Sequence, residues 1–490
     1  MSGIPQLENF IGGEFVKPAE GKWFVHLNPS TGQPSCEVPD SDFLDIVRAV
    51  QAANKAWATW QKVEPAARAN HLKSIANLIR ERSENLADLQ SRDDGSSASF
   101  LIQTSLPRAA QVFEYYASVL ISSEDTSNQA FAESSVSHFR FRAHRLSVGV
   151  ASIITPWSDS FFALASRVAP ALAAGNVVIA KPSEFAPESA AAFAQLMKDS
   201  GLPSGVFNLV QGRGDRAGRA IIDHPGLSLV SFMGSTEIGR EIQKGASEFL
   251  KRTHLALGAR NPVLIFNDVD LDKTIKSIVD LTLRFNGPTC LRGSRVFVQD
   301  GLYDRFLERY KAEVERALKD SAGRQWGPMI HAESKKRFEA AIDLALQEKG
   351  KLLFGGKGLP ENLEVPLHGG YFVKPTAVYD LTLCSTLQQD EIVGPFVSIS
   401  SFKYQHDAIK HANNSPLGQA AYIFHPDQEK ALKIAQKIEA GRVFVNSDSR
   451  RLWDPSLSFS GVKSSGLGRE GGEAALGFFS RETLVMTEAF

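Results

Sequence analysis

The sequence predicts an α/β protein built on two mainly parallel sheets, with a small separate β element. Three observations predict it. From Val148 to Val210 short apolar runs alternate with amphipathic helical runs, the mark of βαβ units and hence of a parallel sheet. A second alternation of the same kind follows Cys290. Between residues 136 and 146, basic and histidine residues alternate with aromatic and small ones, which is the period of a half-exposed strand.

Composition sets the bounds. The chain has 490 residues, 43% hydrophobic and 22% charged, the balance of a soluble globular protein. That length accommodates about two to four domains. A net charge of −1 provides no field to draw nucleic acid or an anionic membrane, so the basic-aromatic strand reads as a solvated sheet face. The cysteines are Cys36, Cys290 and Cys384, an odd and sparse set that speaks for a reducing compartment and against a disulfide framework. Met1 to Phe15 lacks a basic segment followed by an apolar core, and the most apolar run, 169–175, is broken by Pro170 and Gly175. A cytoplasmic location is expected, with no metal.

In chain order, residues 10–40 carry short strand-like pieces punctuated by Gly and Pro. Ser41 is positioned as the N-cap of a helix with Ile46, Val47, Val50 and Trp57 on one face. Pro65 opens a second helix, with Leu72, Ile75, Leu78 and Ile79 at helical spacing, and a third runs from about Pro107 to Leu120. The strand at 136–146 has no obvious partner nearby and is expected to pair in an oligomer interface. Then come strands at 149–154, 176–180 and 206–210, with helices at 161–174 and 186–199 between them. After Cys290 the second pattern comprises helices at 303–318 and 428–438 and strands at 397–399 and 442–446.

Four stretches carry chemistry. Lys181-Pro182-Ser183-Glu184 ends a sheet strand, where ligands of open α/β folds bind. Lys181 can donate to ribose hydroxyls; Glu184 can accept from a 2′-hydroxyl and repels a 2′-phosphate, which favours NAD over NADP. A solvated turn accounts for the same four residues. Gly212-Arg213-Gly214-Asp215-Arg216-Ala217-Gly218 resembles a dinucleotide fingerprint with one residue too many between its second and third glycines. Phe232-Met233-Gly234-Ser235-Thr236 turns a strand end into a helix start, whose amides suit a phosphate. Finally, Arg284 to Val298 sets Cys290 between a glycine turn and a strand. A lone intracellular cysteine is ordinarily a small buried hydrophobe; this one keeps company that suits a nucleophile.

In this order the landmarks resemble the aldehyde dehydrogenase superfamily over nearly the whole chain. They are Thr155-Pro156-Trp157, Lys181 to Glu184, Gly201-Leu202-Pro203, Phe232 to Thr236, Leu255 to Pro262, Cys290 to Arg295, Glu391 to Pro395 and Lys463 to Glu470. Leu7-Glu8-Asn9-Phe10-Ile11, Cys290-Leu291 and Ser464 to Gly471 are most similar to the 2-aminomuconic semialdehyde dehydrogenases. The resemblance implies a Rossmann-type NAD-binding domain from 1–118 and 147–256. It implies a catalytic α/β domain over 257–430, with 431–474 returning to the site, and an oligomerisation element from 119–146 and 475–490. A homodimer or homotetramer is implied.

The resemblance also implies roles. Cys290 adds as thiolate to an aldehyde, donors hold the oxyanion, hydride passes to NAD, and water hydrolyses the thioester with a glutamate as base. Ile154, Trp157, Lys181, Glu184, Gly214 and Ser235 hold the dinucleotide and Glu391 the nicotinamide ribose. Arg108 and Arg451 stand where that group's two substrate-carboxylate arginines fall, and guanidinium forks suit carboxylates. Each is equally readable as a surface arginine, and two extra residues separate Arg451 from the glycine motif.

The departures from the family fall on catalytic positions. The oxyanion asparagine is Ser158, the general-base glutamate is Ala256, the lysine of the following helix is Arg167, and the glutamine two before the nucleophile is Pro288. Glu470 is a candidate substitute base acting through water. Three readings follow: an NAD-dependent dehydrogenase impaired in hydrolysis, an acylating enzyme that passes the acyl group to coenzyme A, and an NAD-binding pseudoenzyme. Cys290 and the cofactor framework favour the first.

Overall fold

The computed structural model describes residues 3–123, 132–133, 139–283, 290–320, 327–361, 363–447 and 451–488. The expectations on residues 136–138 and on 284–289, Pro288 among them, lie outside the described residues.

Among the described residues the first sheet has eight strands. Their order is Glu14–Val16, Asn9–Ile11, Phe207–Leu209, Val177–Lys181, Val150–Ile154, Leu229–Met233, Arg252–Ala256 and Gly466–Leu467. The middle five are mutually parallel and the flanking pairs antiparallel. Val150–Ile154 and Val177–Lys181 are buried along their whole length, as strands covered on both faces must be. In chain order the parallel five run third, second, first, fourth, fifth. The order therefore reverses between Val150–Ile154 and Leu229–Met233, and a ligand crevice is expected beyond their carboxyl ends.

The second sheet has seven described strands. Its centre is Phe396–Phe402, Gly293–Gln299, Asn261–Ile265 and Ala421–Phe424, all parallel, with Val443–Val445 at one edge. The register shifts between Asn261 and Pro262; a proline has no N–H for the ladder, so it is accommodated at an irregularity. Residues 257–260 join the sheets, so the carboxyl end of one faces the amino end of the other, and Cys290 lies just before Gly293 at that junction.

Two expectations are corrected. The first helix, Phe43–Trp60, is capped by Asp42, whose carboxylate accepts the Leu44 amide. Ser41 is spent elsewhere, its hydroxyl accepting from Asn9 Nδ2 at 2.8 Å. The strand Phe139–Ser147 pairs antiparallel with the chain's own Ser480–Glu488, His144 opposite Thr483. But for Ser147, both strands fall within 119–146 and 475–490, the segments that the family resemblance groups into one small element, although more than three hundred residues separate them. Leu484, Val485 and Met486 remain exposed on this small sheet.

Candidate active site

A cavity of about 1200 Å³ opens at the crevice the strand order predicts. Ile154, Trp157, Lys181, Glu184, Gly214, Ser235 and Glu391 all line it. Ser235 caps the helix Thr236–Ser247, its hydroxyl accepting the Ile238 amide at 3.3 Å, and so this helix starts at the wall of the cleft. Lys181 Nζ lies 3.4 Å from Glu184 Oε2. Burial lowers the lysine, with Glu184 opposing; burial pushes Glu184 up, but Lys181 more than offsets it and holds the carboxylate below its usual range. The residues fit a dinucleotide on two further grounds. Among the described residues, Thr155 Oγ1 is buried without a hydrogen-bond partner while its residue lines the cleft, and a Cβ on Gly214 would meet nothing within 4 Å. The fingerprint-like run does not form the tight glycine turn: residues 214–218 make one wide helical turn, with Gly218 N donating to Arg213 O.

Glu391 reaches in from the second sheet's side. Its Oε1 accepts the Ala259 amide at 3.2 Å, and burial pushes its carboxyl up. A Cβ on Gly258 would collide with Glu391 Oε2 and crowd Thr236 Oγ1, so a side chain there would displace the carboxylate from its present position.

Cys290 lines a second, smaller cavity of about 150 Å³, which meets the cleft at Met233. Its peptide is pinned from several directions. Asn261 Nδ2 donates to the Cys290 and Arg292 carbonyls, both at 2.9 Å, and Tyr422 Oη to the Leu291 carbonyl at 2.5 Å. Buried Arg292 donates to the Thr282, Ile392 and Phe396 carbonyls, and Arg295 to those of Arg260, His411, Ala412 and Asn414. Buried arginines need such acceptors, since an unmet donor away from water is costly.

Ser158, Arg167, Glu470 and Arg108 join Cys290 around this cavity, with Tyr116, Phe162, Trp453 and Phe459 as apolar walls. Arg167 Nη2 contacts Glu470 Oε2 at 2.7 Å. Burial pushes Glu470 up, but Arg167, His254 and Arg442 outweigh it and leave the carboxylate below its ordinary range. Glu470 is brought there by strand pairing: its own amide and carbonyl bond Phe459, and the preceding Gly466–Leu467 adds to the edge of the first sheet.

Ala256 ends its strand, its carbonyl accepting the Gly234 amide at 3.1 Å, and is not among the residues lining the inner cavity. Arg451 is exposed and is likewise not brought to the cavity; it follows 448–450, outside the described residues. Arg108 does line it, its guanidinium 5.1 Å from the Trp453 ring centroid. The residue sequence reasoning missed is Arg442, which lines the same cavity. No motif marks it, because a strand-edge arginine looks like any solvated one.

Burial pushes the Cys290 thiol up to about 11; Arg442 and Arg167 draw it down, and Glu470 and Glu391 push it up. Only the thiolate is nucleophilic. Alkylation of Cys290 by iodoacetamide is therefore expected to accelerate with pH by about tenfold per unit up to near pH 11. A rate that levels off near pH 7, followed on the Cys290 peptide by mass spectrometry, would contradict this.

Fold and site together define a protein whose dinucleotide-shaped cleft runs into a small pocket holding a cysteine. The chain belongs to the aldehyde dehydrogenase family, whose family model matches residues 15–485. A 2-aminomuconic semialdehyde dehydrogenase of Danio rerio is 35% identical over 479 residues, covering 97% of this chain and 96% of the relative. Betaine aldehyde dehydrogenase of Staphylococcus aureus, solved in complex with NAD+, matches with a TM-score of 0.92 at 29% identity, over 98% of this chain and 95% of that one. HpcC from Thermus thermophilus matches with a TM-score of 0.92 at 31% identity, over 99% of this chain and 93% of that one. The expected family and fold class are thus borne out. Among the described residues no helix is long and apolar enough to cross a membrane.

Proposed function

We propose that the protein oxidises a carboxylate-bearing semialdehyde with NAD, through a covalent acyl intermediate on Cys290, and that its hydrolytic step is slow. The observation that carries this is Cys290 in the wall of an inner cavity that shares Met233 with the dinucleotide cleft. NAD supplies a hydride acceptor when bound; Glu184 at the ribose end favours it over NADP. The chain's own residues do the rest. Cys290 adds to the aldehyde carbon to give a thiohemiacetal, which goes on to the thioester. Ser158 can donate to the oxyanion, from a shorter arm than a carboxamide. Ala256 takes no proton, so activation of water falls to Glu470. That carboxylate is ionised but held by Arg167, which makes it a weak base and hydrolysis slow. Arg108, beside the aromatic walls, offers a guanidinium to the substrate carboxylate. The exposed Leu484, Val485 and Met486 on the small sheet suit contact with a second copy, in a cytoplasmic homodimer or homotetramer.

The test follows NADH from succinic semialdehyde and from propanal, with and without coenzyme A. The expected result is a stoichiometric burst followed by slow turnover that coenzyme A does not change. Acceleration by coenzyme A would assign the acylating reaction instead. NAD binding without any burst would leave a pseudoenzyme.

A further inference from the structure

The inner cavity contains a cation, Arg442, to which the reaction as described gives no contact with substrate. Arg442 directly precedes the edge strand Val443–Val445, and its carbonyl accepts the Ala421 amide at 2.8 Å, which fixes its backbone. Its guanidinium lies over the Phe459 ring at 3.7 Å from the centroid. Stacking of that kind sets the plane of the fork. Among the described residues no group accepts from its guanidinium and no carboxylate is ion-paired with it; its Nε is closed to solvent, so a ligand in the cavity meets its Nη end. The other cations of the cavity are differently placed. Arg167 is matched by Glu470, and Arg108 lies over Trp453 and near Asp159, whose carboxyl burial pushes up with Arg108 in part opposing. Arg442 alone among these three offers an oriented donor with no acceptor, in the cavity that holds Cys290.

We propose that Arg442, together with Arg108, holds a carboxylate of the substrate in the cavity of Cys290, and so selects acid-bearing aldehydes over neutral ones. A guanidinium presents paired N–H donors that match the two oxygens of a carboxylate, and a partly desolvated site strengthens the bond. Arg442 is also the strongest cationic influence on the Cys290 thiol, so an anion seated on it both shields the sulfur and cancels that pull. The proposal deepens the semialdehyde reading above and rests on it only for the aldehyde end.

The experiment needs no turnover. NAD-loaded protein is alkylated with iodoacetamide in the presence of increasing malonate or succinate, with acetamide as the neutral control, and modification is read on the Cys290 peptide. Saturable protection by the dicarboxylates and none by acetamide is expected. In R442M, the midpoint of protection should rise about 10- to 100-fold, the range for losing a hydrogen bond to a charged group. R442Q, which keeps a donor but no charge, should shift in the same direction and serves if R442M does not fold. NAD binding is measured in both variants. In parallel, the ratio of kcat/KM for succinic semialdehyde over propanal should fall about 10- to 100-fold in R442M. Absence of dicarboxylate protection in the native protein, or equal protection in the variants, would overturn the proposal. Protection that depends on Arg442, with no NADH from any aldehyde, would remove the dehydrogenase reading and leave the anion site standing.

Discussion

The double variant Ala256→Glu with Ser158→Asn is expected to raise steady-state turnover of aldehyde by about 10² or more. A positioned general base is worth about 10² to 10⁴ in rate and an oxyanion donor about 10² to 10³. The two act on one intermediate, so their gains will not multiply fully. The signature lies in the shape of the progress curve. Cys290 and the cleft are untouched, so a burst of NADH should keep the same stoichiometry, while the slope after it steepens. Ala256→Glu alone should supply most of the steepening, because proton transfer from water is the function that alanine lacks outright. An unchanged slope in the double variant would show that these two positions do not limit the reaction.

Replacing Arg167 by methionine is expected to destabilise the protein by about 3–5 kcal/mol, as removal of one partner from a buried ion pair does. Both members are well shielded, with side-chain exposures of 3% and 17%, so solvent cannot stand in for the lost guanidinium. Glu470 is ionised in the native protein with its pKa depressed chiefly by Arg167. The pair therefore contributes fully above the ordinary carboxylate range, and the contribution is lost as pH falls through the depressed value. Denaturation midpoints at pH 7 and pH 4 test this: the gap between native protein and variant should be wide at the first and narrower at the second. Turnover provides a second readout. With Arg167 gone, burial acts on Glu470 with less opposition, its pKa rises, and the acid limb of the pH–rate profile moves to higher pH. If the limb stays in place, Glu470 is not the base.

Part of the fold and of the site is legible in the chain. The apolar runs at 149–154 and 176–180 read as strands because every residue of the strands they form is buried, and continuous β-branched sequence is what two covered faces require. Lys181, Glu184 and Ser235 can be placed at strand ends, and strand ends are where such sheets bind ligands. The first helix cap falls one residue beyond Ser41. Two adjacent polar residues qualify locally, and what separates them is that Asn9, on a strand, claims the serine. The pairing of Phe139–Ser147 with Ser480–Glu488 leaves no mark at short range, and only the family resemblance groups the two segments.

The sequence by itself determined the α/β class, the family, the cysteine at 290, the serine at 158 and the alanine at 256, since these depend on residue type and on spacing along the chain. Only the tertiary structure decided the company Cys290 keeps. Arg167 meets Glu470 across 303 residues, and Arg442 lines the cavity while Arg451 does not. These are outcomes of where the carboxyl end of one sheet faces the amino end of the other, and a charge acquires its partner, or goes without one, only when that junction closes.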